Sequence, residues 1–151
     1  MSDLVTAVTA WAERREDVRA VILVGSRARV DTPADAWSDT DLVLLVDDPP
    51  SYAADPRWLE AFGRPLLTFL EPTAVGGAIE RRVLYEDGSD VDFALIPAGD
   101  ALGVVRDERA VEVRAVFARG YRVLVDKMGV SATLPAVTGR PARVALPGQE
   151  E

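Results

Sequence analysis

The chain has 151 residues, 48% of them hydrophobic, enough for one compact domain with a real core and too few for two full ones. Its 17 basic residues stand against 25 acidic ones, a formal charge of −8 that argues against a broad nucleic-acid-binding face and suits a small cationic substrate. There is no cysteine and no histidine, so disulfides and thiolate metal sites are excluded, and any metal site must be built from oxygen, which favours Mg²⁺ over Zn²⁺.

In chain order, residues 3 to 16 place Leu4, Val8, Trp11 and Ala12 on one stripe of an amphipathic helix, with Ser2 or Asp3 as its cap. Val18 to Val24 and Asp41 to Val46 are apolar, β-branched-rich runs with the character of buried central strands. Asp55-Pro56 reads as a cap followed by proline at the first helical position, opening a short helix that carries Trp58, Leu59 and Phe62. Leu66 to Leu70 is a further strand. Asp87-Gly88 between the apolar runs Arg82 to Glu86 and Val91 to Ile96 predicts a hairpin. Residues 99 to 119 read as helix, with Leu102, Val105, Val113, Val116 and Phe117 as core contacts, and Tyr121 to Asp126 as a closing strand. From Ser131 onward the chain is rich in Pro, Gly and Ala, which predicts an extended or disordered tail over 131–151 behind a domain of residues 1–130. The expected class is α/β or α+β, a mixed sheet with helices packed mainly on one face. No stretch reaches the roughly 18 apolar residues of a membrane span, and the first residues lack the basic head and apolar core of a signal peptide, so the expected location is cytoplasmic.

The chemistry concentrates between the first two strands. Gly25-Ser26-Arg27 follows the first, and Asp39 and Asp41 lie two residues apart where the second begins. Strand residues two apart point to the same face, so both carboxylates can grip one hard cation. Glycine allows backbone amides to approach phosphate oxygens, and an arginine fork matches them bidentately, which makes Arg27 a candidate phosphate contact and equally a surface residue. Asp92 sits between Val91 and Phe93; if those two point into the core, Asp92 points to the other face, where it can join the pair as a third carboxylate. Its companion Asp90 reads as a turn residue. Trp11 and Trp58 are expected in the core, whereas Trp37 packs the motif loop or borders the cleft.

Gly-Ser, then Asp-x-Asp, then a later acid on a third strand resembles the nucleotidyltransferase superfamily related to DNA polymerase β. The loop from Asp31 through Pro33, Asp35 and Trp37 to Asp41, the hairpin Val83 to Pro97 and the closing strand Gly120 to Lys127 resemble more closely the aminoglycoside 6-adenylyltransferase, or streptomycin adenylyltransferase, family. That resemblance implies a nucleotidyltransferase fold, ATP and Mg²⁺ as cofactors, and transfer of AMP to a hydroxyl of a streptomycin-like aminoglycoside. It implies Asp39 and Asp41 as metal ligands, Asp92 as third ligand or general base, and Gly25 and Ser26 as triphosphate contacts. Family members continue into a helical C-terminal domain that helps enclose both substrates. Its expected absence here bears on the acceptor and on possible homo-oligomers or a separate helical partner. The competing reading is a small nucleotidyltransferase-fold partner protein, such as an antitoxin. Such proteins have a shorter spacer before the acidic pair and lack the Pro-x-Asp-x-Trp stretch. An idle nucleotide-binding module is a third reading, opposed by the retention of all three acids.

Overall fold

The computed structural model describes residues 3–25, 40–72, 79–100 and 120–133. Helix α1 (Asp3–Glu13) leads into β1 (Val18–Val24), and β2 (Thr40–Val46) is followed by the short helix α2 (Pro49–Ala54) and a 3₁₀ segment (Pro56–Phe62). Strands β3 (Pro65–Pro72), β4 (Ile79–Tyr85), β5 (Asp90–Pro97) and β6 (Tyr121–Asp126) complete the regular elements among the described residues, with further 3₁₀ turns at Ala98–Asp100 and Val130–Thr133.

The six strands form one mixed sheet in the order β3-β4-β5-β2-β1-β6. Every described pairing is antiparallel except β2 with β5, which run parallel. The two strands read as central from their apolar runs, β1 and β2, lie inside the sheet and are almost wholly buried. Burial on both faces is what a run such as Val-Ile-Leu-Val requires.

The described helices pack on one face. The stripe Leu4, Val5, Val8, Trp11 and Ala12 of α1 joins Val21, Leu23, Leu42, Leu44, Val83, Val91 and Phe93 in the main core. An aromatic cluster locks the short helices onto it: Trp11 stacks on Trp58 at 5.7 Å between ring centroids, and Trp58 meets Phe93 edge-on at 4.9 Å. Polar tips are satisfied in place, with Trp58 Nε1 donating to the Tyr52 carbonyl at 3.0 Å and the Tyr85 hydroxyl to the Leu59 carbonyl at 2.8 Å. The C-terminal end of α1 is held by Lys127, whose Nζ donates to the carbonyls of Ala12 at 2.8 Å and Arg15 at 2.6 Å. A second, smaller apolar cluster occupies the other face, with Ile22, Val24, Val43, Leu45, Ala98 and Val130.

Two sequence expectations change in detail. The segment opened by Asp55-Pro56 is 3₁₀ and not α-helical; Asp55 still caps it, accepting from the Arg57 amide at 3.0 Å, but Gly63 ends it after seven residues. Helix α2 was not expected. Its start is marked by Asp48 followed by Pro49-Pro50, whose fixed φ suits a first helical turn. The expected helix over 99–119 lies, apart from the 3₁₀ turn Ala98–Asp100, outside the described residues, as do residues 134–151 of the expected tail.

Candidate active site

The parallel pairing of β2 with β5 sets Asp41 directly beside Asp92. Alternation then puts Asp41, Val43 and Leu45 on the same face as Asp92, Ala94 and Ile96, away from the helices. Val91 and Phe93 are fully buried in the main core, so Asp92 does point to the opposite face. β1 contributes the third wall: Val24 pairs with Asp41, and Gly25 follows with φ +80°. A side chain on Gly25 would place its Cβ 2.4 Å from Asp41 Oδ2. Glycine is thus required twice, for its left-handed backbone and for the carboxylate that lies against it.

Asp41 and Asp92 strain against one another. Burial is the main force raising Asp92, and a hydrogen bond shared with Asp41 and the charges of Glu80 and Asp41 add to it. Arg82 pulls the other way, its Nε 2.6 Å from Asp92 Oδ1 in an ion pair and not an aligned hydrogen bond. Burial wins, and the carboxyl is pushed up to about 7. Two acids in such contact ionise together only if something neutralises them.

β4 adds residues that the motif reading missed. Glu80 is half-buried and pushed up to about 7, by burial first and then by its hydrogen bond and charge contact with Glu71, directly opposite on β3. Arg82 runs through this acidic face. Besides Asp92 it pairs with Glu71 Oε2 and Asp90 Oδ1, each at 3.6 Å, and its guanidinium stands 6.0 Å from the centre of the Phe69 ring. Asp90 is therefore the first residue of β5 and an Arg82 partner, where a turn role was expected. The hairpin explains why Arg82 was hard to see. Tyr85 N donates to Ser89 O at 2.8 Å, leaving Glu86-Asp87-Gly88 as a three-residue loop with Gly88 at φ +93°. That loop length pairs Arg82 with Asp92; a loop one residue shorter would send the two to opposite faces.

Of the expected site residues, Gly25, Asp41 and Asp92 come together. Ser26, Arg27 and Asp39 lie outside the described residues, as does Trp37. Among the described residues no group of three or more acids is gathered closely enough to hold a metal ion, so Asp41 and Asp92 form a pair. Also among the described residues, no helix is long and apolar enough to cross a membrane.

An acid pair on adjacent parallel strands, closed by a glycine turn on a mixed sheet with helices on one face, defines a nucleotidyltransferase-type α+β domain. A solved aminoglycoside 6-adenyltransferase from Bacillus subtilis shares this fold, with a TM-score of 0.52 and 23% identity over 72% of this chain and 40% of that one. The chain belongs to the streptomycin adenylyltransferase family, whose model matches residues 1–151. It is 34% identical over 97 residues to the aminoglycoside 6-adenylyltransferase of Bacillus subtilis (strain 168), covering 60% of this chain and 34% of the relative. To that of Campylobacter jejuni it is 32% identical over 92 residues, 58% of this chain and 32% of the relative. These matches span about a third of each curated relative's length.

Proposed function

We propose that this chain carries the nucleotide-handling site of an adenylyltransferase that moves AMP from ATP to a hydroxyl of an aminoglycoside such as streptomycin. The observation that carries the reading is the Asp41–Asp92 pair, held side by side by strand register with one carboxyl pushed up to about 7. Such a donor set is all oxygen and repels itself when ionised, which fits a hard divalent cation. Asp41 and Asp92, with Asp39, would hold Mg²⁺. When bound there, Mg²⁺ neutralises charge that builds on the phosphoryl oxygens.

This chain's own residues would do the rest. Gly25 leaves its backbone open to a phosphate, with Ser26 and Arg27 as further triphosphate contacts. The acceptor hydroxyl attacks the α-phosphorus of ATP, forming one O–P bond as the bond to the β-phosphate oxygen breaks, and pyrophosphate leaves. The hydroxyl proton passes to a carboxylate, and Asp92 is the candidate base, as third ligand or proton acceptor. An acidic face of Asp41, Glu80, Glu71 and Asp92 suits a polycationic acceptor. Cytoplasmic location, where ATP is supplied, belongs to the same reading.

The test is Mg²⁺-dependent release of pyrophosphate from ATP with and without streptomycin, alongside calorimetric binding of Mg²⁺–ATP. Streptomycin-stimulated release that falls by about 100-fold or more in Asp92→Asn is the expected result. Release that Asp92→Asn leaves unchanged would overturn the site, and nucleotide binding without release toward any aminoglycoside would overturn the acceptor.

A further inference from the structure

Arg82 is fixed among the acids of the candidate site by the sheet itself. Strand register sets it opposite Asp92 on one side and opposite Phe69 on the other. Its Nε lies 2.6 Å from Asp92 Oδ1, its two terminal nitrogens lie 3.6 Å from Glu71 Oε2 and Asp90 Oδ1, and its guanidinium stands 6.0 Å from the centre of the Phe69 ring. Glu80 feels the same positive charge. Carboxyl groups on β3, β4 and β5 are thus gathered around a single guanidinium. The Arg82 and Asp92 side chains are 29% and 16% exposed, so salt screens this pair less than it would a surface pair.

A guanidinium keeps its charge at any working pH, and one carried on β4 cannot leave when another cation arrives. A dissolved divalent ion approaching Asp41 and Asp92 therefore meets a fixed positive charge beside Asp92. At a separation of roughly 6 Å, even with the screening of water, that repulsion costs about tenfold in affinity. A metal–nucleotide complex behaves differently. Its triphosphate outweighs the metal, the complex is an anion, and the same fixed charge draws it in. The sign of the effect of Arg82 thus depends on whether the ion comes alone or on a triphosphate.

We propose that Arg82 is a positioning residue that sets the acid pair to take up its divalent cation together with the nucleotide and to disfavour the free ion. Pinned by Glu71 on β3 and by Asp90 on β5, it stands against one oxygen of Asp92 and offsets the repulsion among the acids. This role rests on the nucleotidyl-transfer reading and gives Arg82 no contact with the reacting atoms.

Arg82→Met keeps most of the stem and removes the charge. At about pH 8, where fewer protons compete for the acids, free Mn²⁺ counted by electron paramagnetic resonance is expected to bind this variant about tenfold more tightly than the unaltered chain. Mg²⁺–ATP, mixed one to one and followed by calorimetry, is expected to bind it about fivefold more weakly. Loss of Arg82 also favours a proton on Asp92, but a divalent ion gains twice what a proton gains, so the direction for Mn²⁺ holds. Arg82→Lys keeps the charge and should return both affinities to within about threefold of the unaltered chain. Arg82→Gln repeats the test if the methionine variant does not fold. A merely structural Arg82 would lower both affinities together; that result, or no change in either, would overturn the proposal while metal and nucleotide binding by the unaltered chain stand. Binding of neither probe by any of these chains would overturn the nucleotidyl-transfer reading and this proposal with it.

Discussion

Asp92 and Glu80 hold their protons more tightly in the folded chain than the ordinary carboxyl values of 3.8 and 4.5, each being pushed up to about 7. A raised folded value means that the protonated form favours folding. The contribution is complete below about pH 4 and is lost as pH rises through about 7. The metal-free protein is therefore expected to melt at lower temperature at pH 8 than at pH 5, by on the order of 5 °C, and millimolar Mg²⁺ should restore more at pH 8 than at pH 5. Thermal melts with and without the cation check this, and Asp92→Asn should flatten the pH dependence. A melting temperature that climbs steadily from pH 5 to 8 without metal would contradict it. Arg82 moderates the same balance from 2.6 Å, so its loss should push the Asp92 carboxyl higher still.

At the scale of elements, β6 is joined to its 3₁₀ turn by a single side chain. One oxygen of Asp126 accepts from the amides of Met128 at 3.2 Å, Gly129 at 2.7 Å and Val130 at 3.0 Å; the other takes the amide of Ser131 at 3.1 Å and its hydroxyl at 2.5 Å. Burial works to raise the Asp126 carboxyl, but the bonds from Ser131, Val130 and Met128 outweigh it and bring it down to about 2. Its stabilisation is thus present above about pH 4 and lost as pH falls toward 2. Asp126→Ala, scored by urea unfolding at pH 7, is expected to cost about 1–2 kcal/mol, the size of a lost helix cap. That turn carries Val130 into the second apolar cluster, so the loss should be felt on the acidic face of the sheet more than on the helical one.

For the whole molecule, the sheet divides labour between its faces. One face is packed by helices and an aromatic cluster; the other holds the acids over a smaller apolar floor. Phe93 lies on the first and Asp92 beside it on the second, so core packing and site geometry share one strand. Phe93→Ala removes a fully buried ring from between Trp58 and Phe62 and is expected to cost about 3–5 kcal/mol in denaturant unfolding. Whatever fraction remains folded should also bind Mg²⁺–ATP more weakly, because β5 sets where Asp92 stands.

Much of this was legible from residues alone, because the informative signals are local. Apolar runs marked β1 and β2, a helical stripe marked α1, Asp-Gly marked the β4–β5 hairpin, and parity between Val91 and Phe93 turned Asp92 to the other face. What only the tertiary structure decided is which strands neighbour which. The order β3-β4-β5-β2-β1-β6, with its single parallel pairing among the described strands, brings Asp92 beside Asp41 across a long stretch of intervening chain. The three-residue loop then sets the register that delivers Arg82 to Asp92. Neither follows from composition or period, since a strand's side-chain alternation says which residues share a face but not which other strand lies against it. Pairing is settled by burying the apolar surfaces of all the elements together, and that is a property of the folded whole.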